Sequence, residues 1–263
     1  MNYPPQPATF FATGRHIAAL GGLLLTLAMP LMASDSANPA LSSLGTSILF
    51  HASFDNESTD ADLSPGTPTD TGQEKELNRF VDGVYGKAFF PKGRRSPLYS
   101  LRKTGLALGV PGAALIWVSP QEWQRDLPEE YVFFLRLGAS DGQLLLAKSN
   151  QQGRTDRLYA FAKGAGDERG DSVSAGDTSH WQDDEWHLLA VNWATDWIAI
   201  SVDGGPFTQL SVPKLASFGE LEWISIGNGE VPGRRVAYDE VILLDRPLEQ
   251  EEVEALFQAG GAR

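Results

Sequence analysis

The chain contains no cysteine. That excludes disulfides and an N-terminal lipidated cysteine, so a folded body must rest on its apolar core, with a bound metal as the remaining staple. Positive charge is short as well: 21 Lys and Arg face 34 Asp and Glu, a formal net charge of −13. Nucleic acid and anionic membranes would repel such a molecule, which argues against both as partners. The four His residues show no His-x-x-x-His or other metal spacing, so nothing points to zinc. No internal repeat is found.

Long apolar runs are also scarce. The exception is Ile17 to Ala33, preceded by Arg15 and His16, interrupted by Gly21, Gly22, Thr26 and Pro30, and closed by Met32-Ala33-Ser34. A basic start, an apolar middle and a small-residue exit make a secretory signal. Leu31 occupies a cleavage-site position where a small residue is preferred, so an uncleaved anchor is the alternative. The run falls short of the ~20 residues that a span requires and carries a proline. The expectation is therefore a signal peptide over 1–33, export to the periplasm or beyond, and no membrane insertion of the mature chain.

What is present is a mature chain of about 230 residues, a length that suits one all-β sandwich. With 42% hydrophobic residues and seven Trp it can bury a core. Residues 34–46 are Ser-, Asn-, Pro- and Ala-rich and predict a flexible leader, which leaves 47–263 as the folded domain. Period-two alternation and turn residues predict strands over Ser47–Phe54, Val84–Phe90, Ala113–Val118, Tyr131–Leu137, Gln143–Lys148 and Leu158–Ala162. After these come Trp186–Asn192 and Trp197–Asp203, a hairpin closed by Asp203-Gly204-Gly205, and then Phe207–Val212, Leu221–Ile226 and Val236–Leu244. A polar excursion over Asn56–Asn78 is long enough to be either functional or disordered. One helix is predicted at the end: Pro247 near its start, Glu249, Glu251 and Glu252 in the first turn, Val253, Leu256 and Phe257 on one face, and Gly260-Gly261 as the stop. The pattern is that of a two-sheet antiparallel sandwich.

Several of these strings, taken together, resemble a known family. Trp186-His187, an apolar strand, a short turn, a second strand and Val202-Asp203-Gly204 are similar to the core hairpin of laminin-G-like domains in the concanavalin A-like lectin/glucanase superfamily. The opening strand ending in Phe54-Asp55, the Gly86-Lys87-Ala88 entry, Trp117 ahead of Pro120, and Asp239-Glu240 followed by Arg246-Pro247-Leu248 and an acidic helix extend the likeness over Ile48–Gly260. The resemblance implies an all-β, two-sheet jelly-roll with a short C-terminal helix. It also implies a structural calcium ion, held by the Asp55 and Asp239 carboxylates and the Gly86 carbonyl. Calcium takes six to eight oxygen ligands, so carbonyls and water would complete that set; the alternative is that both Asp side chains cap backbone amides without a metal.

Chemistry is the remaining question. Glucanase members need carboxylates about 5 Å apart on one strand, supplied by a Glu-x-Asp-x-Glu alternation. No strand here has it, and the nearest string, Glu122 to Glu129 with Asp126 between, has the wrong spacing and a proline. Gly170-Asp171-Ser172 with Asp184-x-x-His187 matches the strings of Gly-Asp-Ser esterases. Its context is a glycine-rich loop in an all-β pattern rather than a strand that opens a helix, which argues against a triad. Arg169-Gly170-Asp171 is an integrin-type tripeptide whose simpler reading is a charged turn, and Gly164-x-Gly166 lacks the following helix that a phosphate loop needs. Trp117, Trp186 and Trp193 fall in strands and belong to the core, whereas Trp123 and Trp181 fall in loops, where an exposed ring can stack on a sugar. The expectation is a non-catalytic exported sandwich that binds a glycan or a cell-surface protein, with an assembly module that binds no sugar as the alternative.

Overall fold

The computed structural model describes residues 38–72, 77–92, 95–121, 123, 131–149, 156–164, 169–215, 218–227 and 235–261. The expected signal peptide lies outside them. Strands account for about half of the described residues, in two antiparallel sheets.

The larger sheet has eight strands. Its centre is formed by β5 (Gly112–Gln121), β10 (His187–Ala194) and β14 (Arg235–Leu244), which are buried along almost their whole length. Such near-continuous burial means that both faces are covered. β11 (Trp197–Val202) and β12 (Thr208–Ser211) extend the sheet beyond β10. On the other side β14 pairs with β1 (Ile48–Ala52) and β3 (Lys87–Phe90), and β3 pairs with β2 (Arg79–Asp82). The smaller sheet runs in the order β4 (Leu98–Ser100), β13 (Leu221–Ile226), β6 (Tyr131–Ala139), β7 (Gly142–Ser149), β8 (Arg157–Gly164), β9 (Asp171–Asp177).

Between the sheets lies the main core, with Phe50, Phe89, Tyr99, Phe134, Trp193 and Tyr238 among its larger side chains. A second apolar cluster covers the outer face of the eight-stranded sheet: Leu115, Trp117, Leu188 and Ile242 meet Val253 and Leu256 of α2 (Gln250–Gly261) and Leu44 of α1 (Pro39–Leu44). The predicted sandwich with a C-terminal helix is thus what forms, and the helix serves as cover for a sheet that would otherwise expose an apolar face.

Three local expectations change. The segment expected to be a flexible leader is ordered from Asn38 onward: Leu44 is buried in the second cluster, Leu41 packs against it, and Asn38 donates to Glu240 Oε2 at 2.6 Å. Composition suggested disorder because two leucines are few, but a ready-made apolar surface gives them somewhere to go. Asp171–Asp177, expected to be part of a loop, is the edge strand β9, and its Val173 is buried. The helix runs through Gly260 and Gly261 rather than stopping before them, and a Cβ at Gly260 would overlap the Trp117 ring, so the glycine permits close packing of helix on strand.

Central burial forces polar side chains in these strands to find partners. Asn192 is buried on β10; its Nδ2 donates to the Leu248 carbonyl at 2.8 Å, and its Oδ1 accepts from the Leu248 amide at 2.9 Å. This fixes the turn that launches α2. Asn192→Ala is expected to orphan both backbone groups at about 1–3 kcal/mol each, seen as a lower midpoint in urea unfolding followed by tryptophan fluorescence.

Candidate functional site

The two tryptophans expected in exposed loops are not free platforms. Trp181 is 1% exposed, which corrects the expectation that it presents a ring to a sugar. Its ring stacks on the His187 imidazole, with centroids 3.9 Å apart and 8° between planes, and it also meets Phe134 and Trp123. Trp123 is partly buried: its indole Nε1 donates to the Arg235 carbonyl at 2.7 Å, and the Lys148 ammonium sits 4.1 Å from its ring centroid. Lys148 is itself buried and ion-paired with Asp156. A cation on a ring in a low-dielectric setting is attracted by the ring's quadrupole, so the stack is a structural column. Chain position was a poor guide here, because a residue outside regular structure can still be core.

Among the described residues, the polar groups beside the His187 imidazole are carboxylates. Its Nδ1 lies 2.8 Å from Asp203 Oδ2, and its Nε2 lies 3.4 Å from Glu185 Oε2, a distance too long for a good hydrogen bond. Ser172 sits on β9, where its hydroxyl accepts a weak contact from Arg157 Nη2 at 3.4 Å. The Gly-Asp-Ser string is thus part of an edge strand, and the Asp-x-x-His string belongs to the approach to β10.

The three residues assigned to calcium by resemblance do converge. Gly83 to Gly86 forms the turn between β2 and β3, closed by the Gly83 amide donating to the Gly86 carbonyl at 3.0 Å. Asp239 Oδ2 accepts from the amides of Val84 (2.7 Å) and Tyr85 (3.1 Å), and Asp55 Oδ1 accepts from the Lys87 amide at 2.8 Å. Gly86 has φ +66, and a Cβ there would overlap Asp55 Oδ1, so both glycines of the turn admit carboxylates where any larger residue would block them. Asp239 Oδ1 is buried with no hydrogen-bond partner. Burial, then the neighbouring Glu240 charge and, less strongly, Asp55, push the Asp239 carboxyl well above the usual range, against the two turn amides. The arrangement is amide capping with one oxygen left over. Among the described residues no group of three His, Asp or Glu converges on one point, so any ion here would draw its other ligands from carbonyls and water.

Sequence reasoning missed a concavity on the outer face of the smaller sheet. It is an open trough of about 470 Å³. Antiparallel register builds it in rows: Tyr131 lies opposite Ser149, which lies opposite Arg157; Phe133 is joined through Ala147 to Tyr159; Leu145 is opposite Phe161, which is opposite Ser172; and Gln143 is opposite Lys163. Tyr131 is 38% exposed and its ring lies parallel to Phe133, with centroids 5.9 Å apart and 3° between planes. Burial pushes the Tyr159 hydroxyl up to about 12, so it remains a neutral group at any ordinary pH. Arg136 lies over Phe133 at 5.3 Å and over Trp223 at 5.6 Å, and Arg157 lies over Tyr159 at 5.6 Å. The alternation that predicted these strands could have flagged the outward set Tyr131, Phe133, Tyr159 and Phe161, but strand pairing was needed to bring them together.

No family model matches the chain, and no curated protein matches it. Solved structures do. The botulinum neurotoxin serotype D binding domain is similar with a TM-score of 0.64 at 8% identity, over 85% of this chain and 53% of that one. The binding domain of botulinum neurotoxin DC, in complex with rat synaptotagmin II, gives 0.56 at 10% identity, over 70% and 46%. The serotype D ligand-binding domain in complex with N-acetylneuraminic acid gives 0.56 at 8% identity, over 83% and 52%. This chain spans about half the length of each, and at such identities the likeness shows a shared β-sandwich fold.

Trp181→Ala is expected to lower the unfolding free energy by ~3–5 kcal/mol, as for truncation of a large buried aromatic. Trp123→Ala should cost less, because its ring is only partly buried. Urea titration of both variants, with ligand binding measured on the folded fraction, checks the assignment of Trp181 to the core; a Trp181→Ala protein of unchanged stability would refute it.

Proposed function

We propose that this chain is a non-catalytic, exported β-sandwich that binds a glycan in the trough of its six-stranded sheet. The observation that carries this reading is the trough itself: aromatic rings from two strands set among hydroxyl and amide side chains, with Ser149, Ser172 and Gln143 beside Tyr131, Phe133 and Phe161. Sugar rings present apolar C–H faces and a rim of hydroxyls, and such a surface complements both. Export is supported by the apolar run that follows Arg15 and His16. A non-catalytic role is supported by the absence of a paired-carboxylate strand motif and by the environments of Ser172 and His187. The structural neighbours add support in kind, since those named above are described as binding domains, one with a sugar acid and one with a protein.

The test is a glycan array probed with the purified chain, followed by Tyr131→Ala and Phe161→Ala. Each variant should weaken binding at least about tenfold, or ~1.4 kcal/mol, with little change in melting. A blank array together with recovery of a cell-surface protein that competes with no sugar would replace this reading with protein recognition.

Calcium is included in the proposal as a structural ion between Asp239, Asp55 and the turn at Gly86. Its support is the orphaned Asp239 oxygen and the cost of ionising a carboxyl so placed. A cation there would offset that cost and tie the turn after β1 to β14. Thermal unfolding in EDTA and in excess calcium is expected to show a rise in midpoint with calcium for the wild type and none for Asp239→Asn, which keeps an amide-capping oxygen but loses the charge. Equal response of the two proteins would leave Asp55 and Asp239 as amide caps alone.

A further inference from the structure

The protein carries a net charge of −13, yet cations gather at the trough. Among its described lining residues are Arg157, Lys163 and Arg169, and no Asp or Glu. Arg136 adds a fourth cation on the same sheet face, beside Phe133. The in-register carboxylate nearest Arg157 is Asp177, whose Oδ1 is turned toward the Ser179 amide at 3.0 Å and the Ser179 hydroxyl. In a chain with so few cations, gathering them beside aromatic rings on one face requires a reason.

Two of the arginines are laid on rings. Arg136 lies over Phe133 and Trp223, and Arg157 over Tyr159. A guanidinium lying on a ring loses rotamer freedom before any ligand arrives, and its planar fork of N–H donors matches a carboxylate or sulfate. Arg136 Nε, moreover, is buried and makes no hydrogen bond, and Nη2 reaches only Ser225 Oγ at 3.4 Å. Nη2, held only by that long contact, has hydrogen-bonding capacity left for an anionic ligand oxygen.

Resting on the reading of the trough as a glycan site, we propose that its ligand is an acidic glycan, a sugar chain bearing carboxylate or sulfate groups, with ring faces on Tyr131 and Phe161 and anionic groups at Arg157 and Arg136. The acidic remainder of the surface makes this selective. The net negative charge of the whole molecule disfavours adventitious polyanion binding, which raises the weight of specific contacts in the trough.

The experiment titrates the purified chain with two matched polymer pairs: polygalacturonate against its methyl ester, and dextran sulfate against dextran. The acidic member of at least one pair should bind at least about tenfold more tightly than its neutral partner, and weaken about tenfold between roughly 50 and 500 mM salt. Discrimination in the first pair alone identifies carboxylate as the recognised group, and in the second alone sulfate. Arg157→Gln should lose about tenfold in affinity for the acidic polymer, with Arg157→Lys retaining part of it, and Tyr131→Ala should weaken both members of a pair. Equal binding of charged and neutral polymers that is lost in Tyr131→Ala would overturn the acidic preference while leaving a glycan site standing. Acidic-polymer binding that survives both Arg157→Gln and Tyr131→Ala would overturn it by placing the ligand elsewhere. Failure to bind either acidic polymer overturns it too, and if the glycan array is also blank the glycan reading falls with it.

Discussion

Strands β10, β5 and β14 lie side by side with both faces covered, one by the second sheet and the other by the helices. Without disulfides, the apolar area removed from water on those two faces must supply most of the stability, at ~25 cal/mol per Å². Such a position allows no hydrophobic-in, polar-out alternation, so any polar side chain on these strands needs a partner inside the protein. Three of them have been turned into ties. Asn192 holds the turn before α2, Asp239 caps the turn between β2 and β3, and His187 is braced by Asp203 and stacked on Trp181.

The tie at Asp239 depends on a break in β14. Register jumps between Asp239 and Ile242 opposite β5, which makes a bulge, and Glu240 there adopts φ +49. A residue of that size in the left-handed region is strained and persists only when its surroundings determine it. They do so here: Glu240 is buried against His51 Nε2 at 2.7 Å and against Asn38, which belongs to the segment just before α1. The bulge thus recruits the chain before β1 on one hand and the β2–β3 turn on the other. Packing at the two ends of the described chain is coupled through a single irregularity in its last strand.

The smaller sheet obeys the opposite constraint. One face meets the core and the other is only partly covered: β7 is buried from Leu144 to Ser149, while β6 and β9 keep half-exposed outward residues. Rings and cations are found there, and Leu145, Ala147 and Tyr159 form a small apolar cluster of their own.

Much of the architecture was legible along the chain, because strand periodicity, turn chemistry and helix-end signals are local and record which faces are buried. Trp186 to Asp203 reads as a hairpin and forms β10 and β11; Glu251 and Glu252 open a helix with Val253 and Leu256 on its buried face. The meeting of Asp55, Gly86 and Asp239 was reached only by family likeness, since no local pattern brings together residues so far apart in sequence. Long-range pairing alone decided that Trp181 is core and that α1 is ordered by the α2 side of the sheet. It also decided that Tyr131, Arg157 and Phe161, from strands β6 and β8, share one trough. The physical reason is the same in each case: a side chain's neighbours across a sheet or beneath a loop are set by register and burial, and these come into being only when the whole chain has condensed.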